Sequence, residues 1–283
     1  MIQKIARAKI NLYLNVVGKR DDGYHLLDSL FAFAEDGDGI SVEKSDNLTL
    51  EIKGPFAHAL SSEKDNSVLK AARLLANALD VPAKAKIVLT KNLPAASGIG
   101  GGSADAAATL AALCELWKVR PSVSLLEKTA LKIGADVPAC LHDKAVFVSG
   151  IGECVRPAPR IPRMPVLLVN PNVALPTPLV FKAGIERFSD ADSMTEGDFL
   201  PQNFIAALKR RKNDLTVPAT RIVPEIGTIL NAFEKCSFCA VSRLSGSGAT
   251  CFGIFEDAAR RDVFAESLKE KHPNWWIFRS FLI

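Results

Sequence analysis

Apolar residues alternate with polar ones near the start of the chain, over residues 5–17. Successive side chains of a strand point to opposite faces, so this alternation predicts a β-strand with two chemically different faces. The apolar face carries Ile10, Leu12, Leu14 and Val16, and the opposite face carries Lys9, Asn11, Tyr13 and Asn15. A lysine beside an asparagine suits an anionic ligand, although the strand alone favours a face exposed to solvent.

Further segments show either the strand or the helix period. Strands are predicted for residues 38–53, as a pair joined by a polar turn at 45–47, and for 85–91, 166–169 and 251–255. Helices are predicted from Asn66, from Ser103 or Asp105 to about Trp117, and over 125–133. Strands and helices alternate without a regular βαβ period, which indicates an α+β fold with two layers per domain.

The length of 283 residues allows two domains or one large domain. Four prolines, at positions 157, 159, 162 and 165, precede an apolar strand and indicate a linker. We therefore predict two domains, residues 1–155 and 156–283, each a sheet packed against helices.

The composition is that of an ordinary globular protein, with 48% apolar and 23% charged residues. A net charge of +4 is too small to require a nucleic acid or a membrane, and it is compatible with a polyanionic substrate. The N-terminus lacks the apolar core of a signal peptide, and no segment approaches the ~20 apolar residues of a membrane span. We therefore expect a cytoplasmic protein.

Two local motifs favour a structural interpretation over a functional one. Cys236-Ser-Phe-Cys239 has Cys-x-x-Cys spacing, but no second pair or histidine cluster completes a zinc site, so packed thiols are expected. The basic run at 209–212 falls in a predicted helix, where a solvated face is favoured over contact with nucleic acid.

The candidate chemistry begins at a glycine-rich segment between a predicted strand and a predicted helix. Gly98, Gly100, Gly101 and Gly102 fall within five residues. Successive backbone N–H groups at the positive end of a helix form a site for phosphate. A flexible turn is the alternative. However, each ordered glycine costs conformational entropy, so a plain connection rarely places four glycines at the start of a helix.

This segment differs from the two common phosphate-binding motifs. A Walker loop ends in Gly-Lys-Ser/Thr, whereas here Gly102 leads directly to Ser103. The dinucleotide motif has a glycine at its sixth position, where counting from Gly98 again finds Ser103. The segment is therefore neither of them.

Two other segments carry candidate ligand contacts. Tyr24, His25 and Phe31 follow a tight turn at Asp22-Gly23 and suit stacking on a flat base, with His25 able to reach its edge. A lone histidine is more often structural, so the turn alone does not decide between the two. A second glycine-rich segment, residues 243–250, leads into the strand at 251–255.

The segment PAASGIGGGSADAA, residues 94–107, resembles the ATP-binding signature of the GHMP small-molecule kinases, with Ile99 where leucine is common in that family. Residues 8–14 with 20–25, and LPTPLVF at 175–181, resemble the branch that phosphorylates 4-diphosphocytidyl-2-C-methyl-D-erythritol in the non-mevalonate isoprenoid pathway. Residues 243–250 resemble the third motif of the family, which lies against the substrate and the first glycine loop. The resemblance covers most of the chain and is poorest near the C-terminus.

The resemblance implies a kinase of two-domain α+β fold that uses ATP and Mg²⁺. The implied catalytic residues are Lys9 and Asp136, the latter in a Gly-Ala-Asp-Val-Pro segment where a plain turn residue is the alternative. The implied nucleotide-binding residues are Pro94, Ala95, Ala96, Ser97, Gly98, Ile99, Gly100, Gly101, Gly102, Ser103 and Ala104, with Lys91 and Asn66. Ser103 is also the implied metal contact, and Asn66 has a helix cap as its alternative role.

The implied substrate-binding residues are Asn11, Tyr24, His25, Phe31, Thr177 and Phe181. The expected partner is a small cytidine diphosphate substrate, with no nucleic acid and no membrane, and the expected assembly is a monomer or weak homodimer. Two other functions stay open: a GHMP kinase for mevalonate, homoserine or a sugar, and a nucleotide-binding member of the fold without catalysis.

Overall fold

The computed structural model describes residues 1–60, 66–185 and 187–283. Its strands are β1 (Ile2–Lys19), β2 (His25–Glu43), β3 (Leu48–Lys53), β4 (Ala85–Thr90), β5 (Val146–Gly150), β6 (Cys154–Pro157), β7 (Met164–Asn170), β8 (Cys239–Leu244), β9 (Cys251–Phe255) and β10 (Trp276–Leu282). Its α-helices are α1 (Ser67–Leu79), α2 (Gly101–Leu116), α3 (Val123–Ile133), α4 (Val137–Cys140), α5 (Thr177–Lys182), α6 (Pro201–Lys209), α7 (Thr216–Ile222), α8 (Glu225–Glu234) and α9 (Ala258–Lys271). Short 3-10 turns occupy Ala57–Leu60 and Glu196–Phe199.

The described residues form two compact units, and neither is a continuous segment of the chain. Unit 1 comprises Met1–Ala8, Asp36–Ala95 and Gly100–Asp143, and unit 2 comprises Lys9–Glu35, Ala96–Ile99 and Lys144–Ile283. The strands β1 and β2 each contribute residues to both units. The sequence predicted two continuous domains, and the boundary between residues 155 and 156 stays a prediction.

Unit 1 places strands on one side of a core that is closed by helices. The strand β3 is parallel to β4, and β4 is antiparallel to the second half of β2 with Gly39 opposite Thr90. The helix α2 is rich in alanine and buried along most of its length, as expected for a helix that is apolar all round. The helix α1 buries a single face that includes Val68 and Leu75.

Unit 2 is built around an antiparallel sheet in the order β10, β7, β9, β8. The first half of β2 pairs with β5, and β5 pairs with β6. The core of this unit joins Leu14 and Val16 of β1 to residues of β7, β9 and the helices α7 to α9. Together the two units give the predicted α+β class.

The structure corrects three expectations about exposure and helix ends. The polar face of β1 is not exposed, since Lys9, Asn11, Tyr13 and Asn15 all have at most 4% of their surface accessible. The helix α2 begins at Gly101 with Gly100 as its N-cap in the left-handed conformation, so Ser103 and Asp105 lie inside the helix and do not cap it.

The third correction concerns the basic run at 209–212, of which α6 includes only Lys209. Lys209, Arg210 and Lys212 are exposed, as expected of a solvated face, but Arg211 is buried. The Arg211 guanidinium donates to the backbone carbonyls of Ala207 and Asp192 and to the Asp192 carboxylate, so this residue does not belong to a solvated face.

The cap at Asn66 and two of the predicted strands are confirmed. Asn66 caps α1, accepting a hydrogen bond from the Val68 N–H at 2.9 Å, and the strands predicted around 85–91 and at 251–255 are β4 and β9. All six cysteines carry free thiols, and burial raises the pKa of Cys239 to about 12. Within the described residues, no helix has the length and apolar character needed to span a bilayer.

Candidate active site

The glycine-rich connection between β4 and α2 requires glycine at two positions. Gly98 and Gly100 have φ values of 77° and 62°, in the left-handed region that side chains disfavour. A Cβ atom on Gly98 would also lie 2.7 Å from the Gly248 nitrogen, so the close approach of two backbone segments in unit 2 excludes a side chain there. Within unit 2 this connection is hydrogen-bonded to Lys9 and to residues of the segment 245–250.

The end of the connection in unit 1 is the first turn of α2, where Gly100 supplies the N-cap carbonyl that accepts from the Ala104 N–H at 2.8 Å. The preceding N–H groups, those of Gly101, Gly102 and Ser103, have no acceptor in the preceding turn because a helix leaves its first donors without one. They point along the helix axis at its positive end, which is the arrangement that binds phosphate.

A buried ion cluster lies beside this turn in unit 1. The Lys91 ammonium donates to Asp38 Oδ2 at 2.5 Å and to Asp105 Oδ2 at 2.8 Å, and all three side chains are at most 2% exposed. Burial alone would lower the pKa of Lys91, but the Asp105 and Asp38 carboxylates more than offset this and raise it. Lys91, implied by the resemblance as a nucleotide contact, thus has its ammonium held by two carboxylates.

The polar face of β1 in unit 2 holds a second cluster, which is bonded mostly through uncharged groups. Lys9 Nζ donates to Asn11 Oδ1 at 2.9 Å and lies 4.4 Å from the centre of the Phe31 ring. Asn11 Nδ2 donates to the Ser29 hydroxyl at 3.0 Å. The backbone N–H of Lys9 donates to the Ile99 carbonyl at 2.9 Å, which fixes the lysine beside the glycine-rich connection.

Ser245, which the sequence analysis did not single out, connects this cluster to the connection. Its hydroxyl accepts from the Asn11 N–H at 3.2 Å and donates to the Gly98 carbonyl at 3.1 Å. The Thr250 N–H donates to the Ser97 carbonyl at 3.1 Å. The segment 243–250 therefore lies against Ser97 and Gly98, as the resemblance implied for the third motif.

The rings of His25, Phe181 and Phe188 form an aromatic group in unit 2. The His25 and Phe181 rings are stacked with centres 4.8 Å apart, and the Phe188 ring meets His25 edge-on at 6.4 Å. Burial, followed by the nearby Lys19, lowers the pKa of His25. The sequence analysis missed Phe188, which carries no motif.

The other implied substrate contacts are less closely grouped. The Tyr24 side chain is 61% exposed, and Phe31 contacts Lys9 rather than the stacked pair. The hydroxyls of Thr177 and Ser247 are 2.7 Å apart, which brings the start of α5 to the second glycine-rich segment. Among the six implied substrate-binding residues, Asn11 and Phe31 both contact Lys9, and His25 stacks directly on Phe181.

Asn66 and Asp136 are two other implied residues of unit 1. Asn66 lines a pocket of ≈ 450 Å³ together with Leu50, Ile52, Ala57, His58, Leu60 and Leu69. Asp136 immediately precedes α4 and is partly accessible to solvent. Both roles stay predictions.

Two family models match the chain: GHMP kinases N terminal domain over residues 66–144 and GHMP kinases C terminal over residues 200–274. A 4-diphosphocytidyl-2-C-methyl-D-erythritol kinase of Paramagnetospirillum magneticum is 50% identical over 272 residues, which cover 96% of this chain and 95% of that protein. A protein of the same name from Rhodospirillum rubrum is 47% identical, over 98% of this chain and 91% of that protein.

Solved structures agree with these matches. A crystal structure of 4-(cytidine 5'-diphospho)-2C-methyl-D-erythritol kinase has a TM-score of 0.79 at 31% identity and covers 99% of both chains. Homoserine kinase from Cytophaga hutchinsonii has a TM-score of 0.73 at 16% identity, covering 99% of this chain and 94% of that one, which is a likeness of fold alone. Since a relative with 50% identity matches almost its full length, this chain belongs to the GHMP kinase family.

Proposed function

We propose that the chain transfers the γ-phosphoryl group of ATP to the 2-hydroxyl of 4-diphosphocytidyl-2-C-methyl-D-erythritol, a step of the non-mevalonate isoprenoid pathway. The observation that carries the proposal is the Lys9 ammonium, which is buried, held by Asn11, and fixed beside the glycine-rich connection by the bond to Ile99. The names of relatives near 50% identity support the choice of acceptor.

The nucleotide would bind through the backbone of the glycine-rich connection, residues 94–104. The N–H groups of the first turn of α2 would donate to phosphate oxygens. The pocket lined by Asn66 has a volume of ≈ 450 Å³, within the range of small-molecule sites, and would accept the adenine ring. Its apolar lining from β3 and α1 suits a flat base.

Phosphoryl transfer depends mostly on position and on charge neutralisation. The acceptor oxygen would form a bond to the γ-phosphorus as the bond between that phosphorus and the β–γ bridging oxygen breaks and ADP leaves. Asp136 would take the proton of the acceptor hydroxyl. Lys9 would stabilise the negative charge of the transferring group through its ammonium.

Magnesium would be shared between the protein and the phosphates. Kinase sites commonly hold Mg²⁺ through one or two side chains together with substrate phosphates. Within the described ranges, no group of three or more His, Cys, Asp or Glu side chains could hold a metal by itself. The Ser103 hydroxyl, in the first turn of α2, fits such a shared site, and the bound ion would neutralise part of the phosphate charge.

The cytosine base of the acceptor would stack on the aromatic group of unit 2. Tyr24 and Phe181 would contact the ring faces, and His25 would bond to the edge of the base. Thr177 and Asn11 would donate to polar groups of the acceptor, and Phe31 would pack beside Lys9. Stacking on the Phe181 ring requires the base to displace or extend the His25 stack seen here.

We further propose that residues 1–155 form the ATP-binding domain and 156–283 the C-terminal kinase domain. The two matched family segments, 66–144 and 200–274, fall inside one predicted domain each. The protein would act in the cytoplasm, where ATP is available, as a monomer or weak homodimer.

An ADP-release assay over a panel of acceptors tests the proposed function. The panel contains the cytidyl substrate, methylerythritol phosphate without cytidine, mevalonate and homoserine. We expect a much higher kcat/KM with the cytidyl substrate than with any other acceptor of the panel. Equal turnover of mevalonate or homoserine would contradict the acceptor and leave a GHMP kinase of other specificity, whereas ATP binding without turnover of any acceptor would indicate a non-catalytic member of the fold.

A further inference from the structure

The buried ion cluster of Lys91, Asp38 and Asp105, here called the Lys91 cluster, takes no part in the reaction steps proposed above. It is nevertheless among the most deeply buried groups of charged side chains in unit 1. The side chains of Lys91, Asp38 and Asp105 are 0–2% exposed, and their charged atoms are 2.5 and 2.8 Å apart. Ion pairs at this depth rarely add net stability compared with apolar residues. The contacts of the cluster therefore indicate its role better than its contribution to stability does.

The cluster holds the backbone on both sides of the glycine-rich connection within unit 1. Asp38 Oδ1 accepts from the N–H groups of Asn92 and Leu93, at 2.5 and 2.8 Å, directly after β4. Asp105 belongs to α2, one turn beyond its first residue. A Cβ atom on Gly101 would lie 3.0 Å from Lys91 Nζ, so the start of the helix rests on the ammonium.

The cluster also contains more acidic than basic groups. Two carboxylates face one ammonium, and Asp105 Oδ1 is buried without a hydrogen-bond partner among the described atoms. Leaving a buried charge uncompensated is costly. Burial raises the pKa of Asp105 to about 7, with Lys91 opposing and Asp38 adding to the rise. A proton held by Asp105 makes the cluster neutral.

We propose that Lys91, Asp38 and Asp105 are positioning residues for the nucleotide, which hold the phosphate-binding turn of α2 through Gly101 and the backbone of Asn92 and Leu93. This inference rests on the proposed function of that turn. It also changes the role that the resemblance implied for Lys91, from a contact of ATP to a support beneath the residues that contact ATP.

The first test compares Lys91, directly after β4, with Lys86 on β4. Lys91→Met removes the central ammonium, whereas Lys86→Met removes a surface ammonium that pairs with Glu43 at 3.2 Å. Calorimetry with a non-hydrolysable ATP analogue, without acceptor, should show affinity weakened by about ten-fold or more in Lys91→Met, because displaced contact groups are costly. The KM for the acceptor should stay within about two-fold, and Lys86→Met should match the wild type in both measurements. A folded Lys91→Met protein with wild-type affinity would overturn the proposal.

The second test, which does not depend on Lys91→Met folding, is Asp38→Asn. Asparagine keeps the volume of the side chain but removes the charge that accepts from Lys91 and from the N–H groups of Asn92 and Leu93, so the affinity for the ATP analogue should fall by about ten-fold. A folded Asp38→Asn protein with wild-type affinity would overturn the proposal. The calorimetry in both tests uses no acceptor, so a failure of the acceptor panel would remove the proposed reaction without removing this inference.

Discussion

Two regions of unit 2 differ in the solvent exposure of their functional side chains: the polar face of β1 is buried, whereas the aromatic group is partly exposed. On β1, Lys9 and Asn11 are at most 4% exposed. Asn11 is hydrogen-bonded to Lys9, Ser29 and Ser245, so its position is fixed. In the aromatic group, Tyr24 is 61% exposed and Phe188 is 46% exposed. Preorganised charge serves the transition state, while an accessible aromatic surface serves binding. We therefore expect changes in the first region to lower kcat and changes in the second to raise KM.

The largest effect should come from the proton acceptor assigned to unit 1. Asp136→Asn should bind ATP normally and lose about 10²–10⁴-fold in kcat, the usual contribution of a positioned acid or base. Steady-state kinetics and calorimetry with ATP measure the two properties. The control is Asp143→Asn, which changes an exposed carboxylate that pairs with Arg7 at 2.6 Å. Turnover of Asp136→Asn close to that of this control would remove the carboxylate from the mechanism.

The next largest effect should come from the buried β1 cluster. Lys9→Met should lower kcat by about 10²-fold or more through loss of a fixed electrostatic donor. Lys4→Met is the matched control on the same strand, because Lys4 is 39% exposed and pairs with Glu115. The comparison of regions fails if Lys9→Met changes KM for the acceptor and leaves kcat unchanged.

A smaller effect, on KM alone, should come from the aromatic group. Phe181→Ala should raise the acceptor KM by about ten-fold, since stacking of a base on an aromatic ring is worth ~1–3 kcal/mol. The control is Leu179→Ala, an exposed apolar side chain of the same helix. ATP affinity should stay at the wild-type value. A fall in kcat with an unchanged KM would contradict a role of Phe181 in binding the acceptor.

The smallest effect should come from the residue that carried no motif. Phe188→Ala removes the edge contact with His25 and should raise the acceptor KM by about two-fold or more, in line with ~0.5 kcal/mol for an aromatic edge contact. Kinetics with the cytidyl substrate measure it. An unchanged KM would show that Phe188 only covers the His25 ring.

Local patterns were enough to predict most strands and helices, along with the cap at Asn66, because these depend on residues close in sequence. They also put Lys9 and Asn11 on one face of β1. Burial of that face depends on Ser29 and Ser245, and the latter is 234 residues from Asn11, so no local pattern could indicate it. The same holds for the pairing of Lys91 with Asp38, 53 residues away.

The start of α2 was mispredicted for a different reason. Ser103 and Asp105 are good N-cap residues by type, but the helix begins earlier, after the left-handed Gly100, and no side chain caps it there. Without a side-chain cap, the first N–H groups of the helix are available to a phosphate. The preference for Ser or Asp as N-cap therefore gives the wrong helix start at the turn that the proposed function assigns to phosphate binding.

The measurement that tests the central contrast most directly is the preference for cytidine, taken as the ratio of kcat/KM with the cytidyl substrate to that with methylerythritol phosphate. It is to be measured in the wild type, Phe181→Ala and Lys9→Met. We predict a high ratio in the wild type, a ratio at least about ten-fold lower in Phe181→Ala, and a wild-type ratio in Lys9→Met despite its slow turnover. A ratio that is unchanged in Phe181→Ala, or that collapses in Lys9→Met, would contradict the division of labour between the aromatic group and the buried strand.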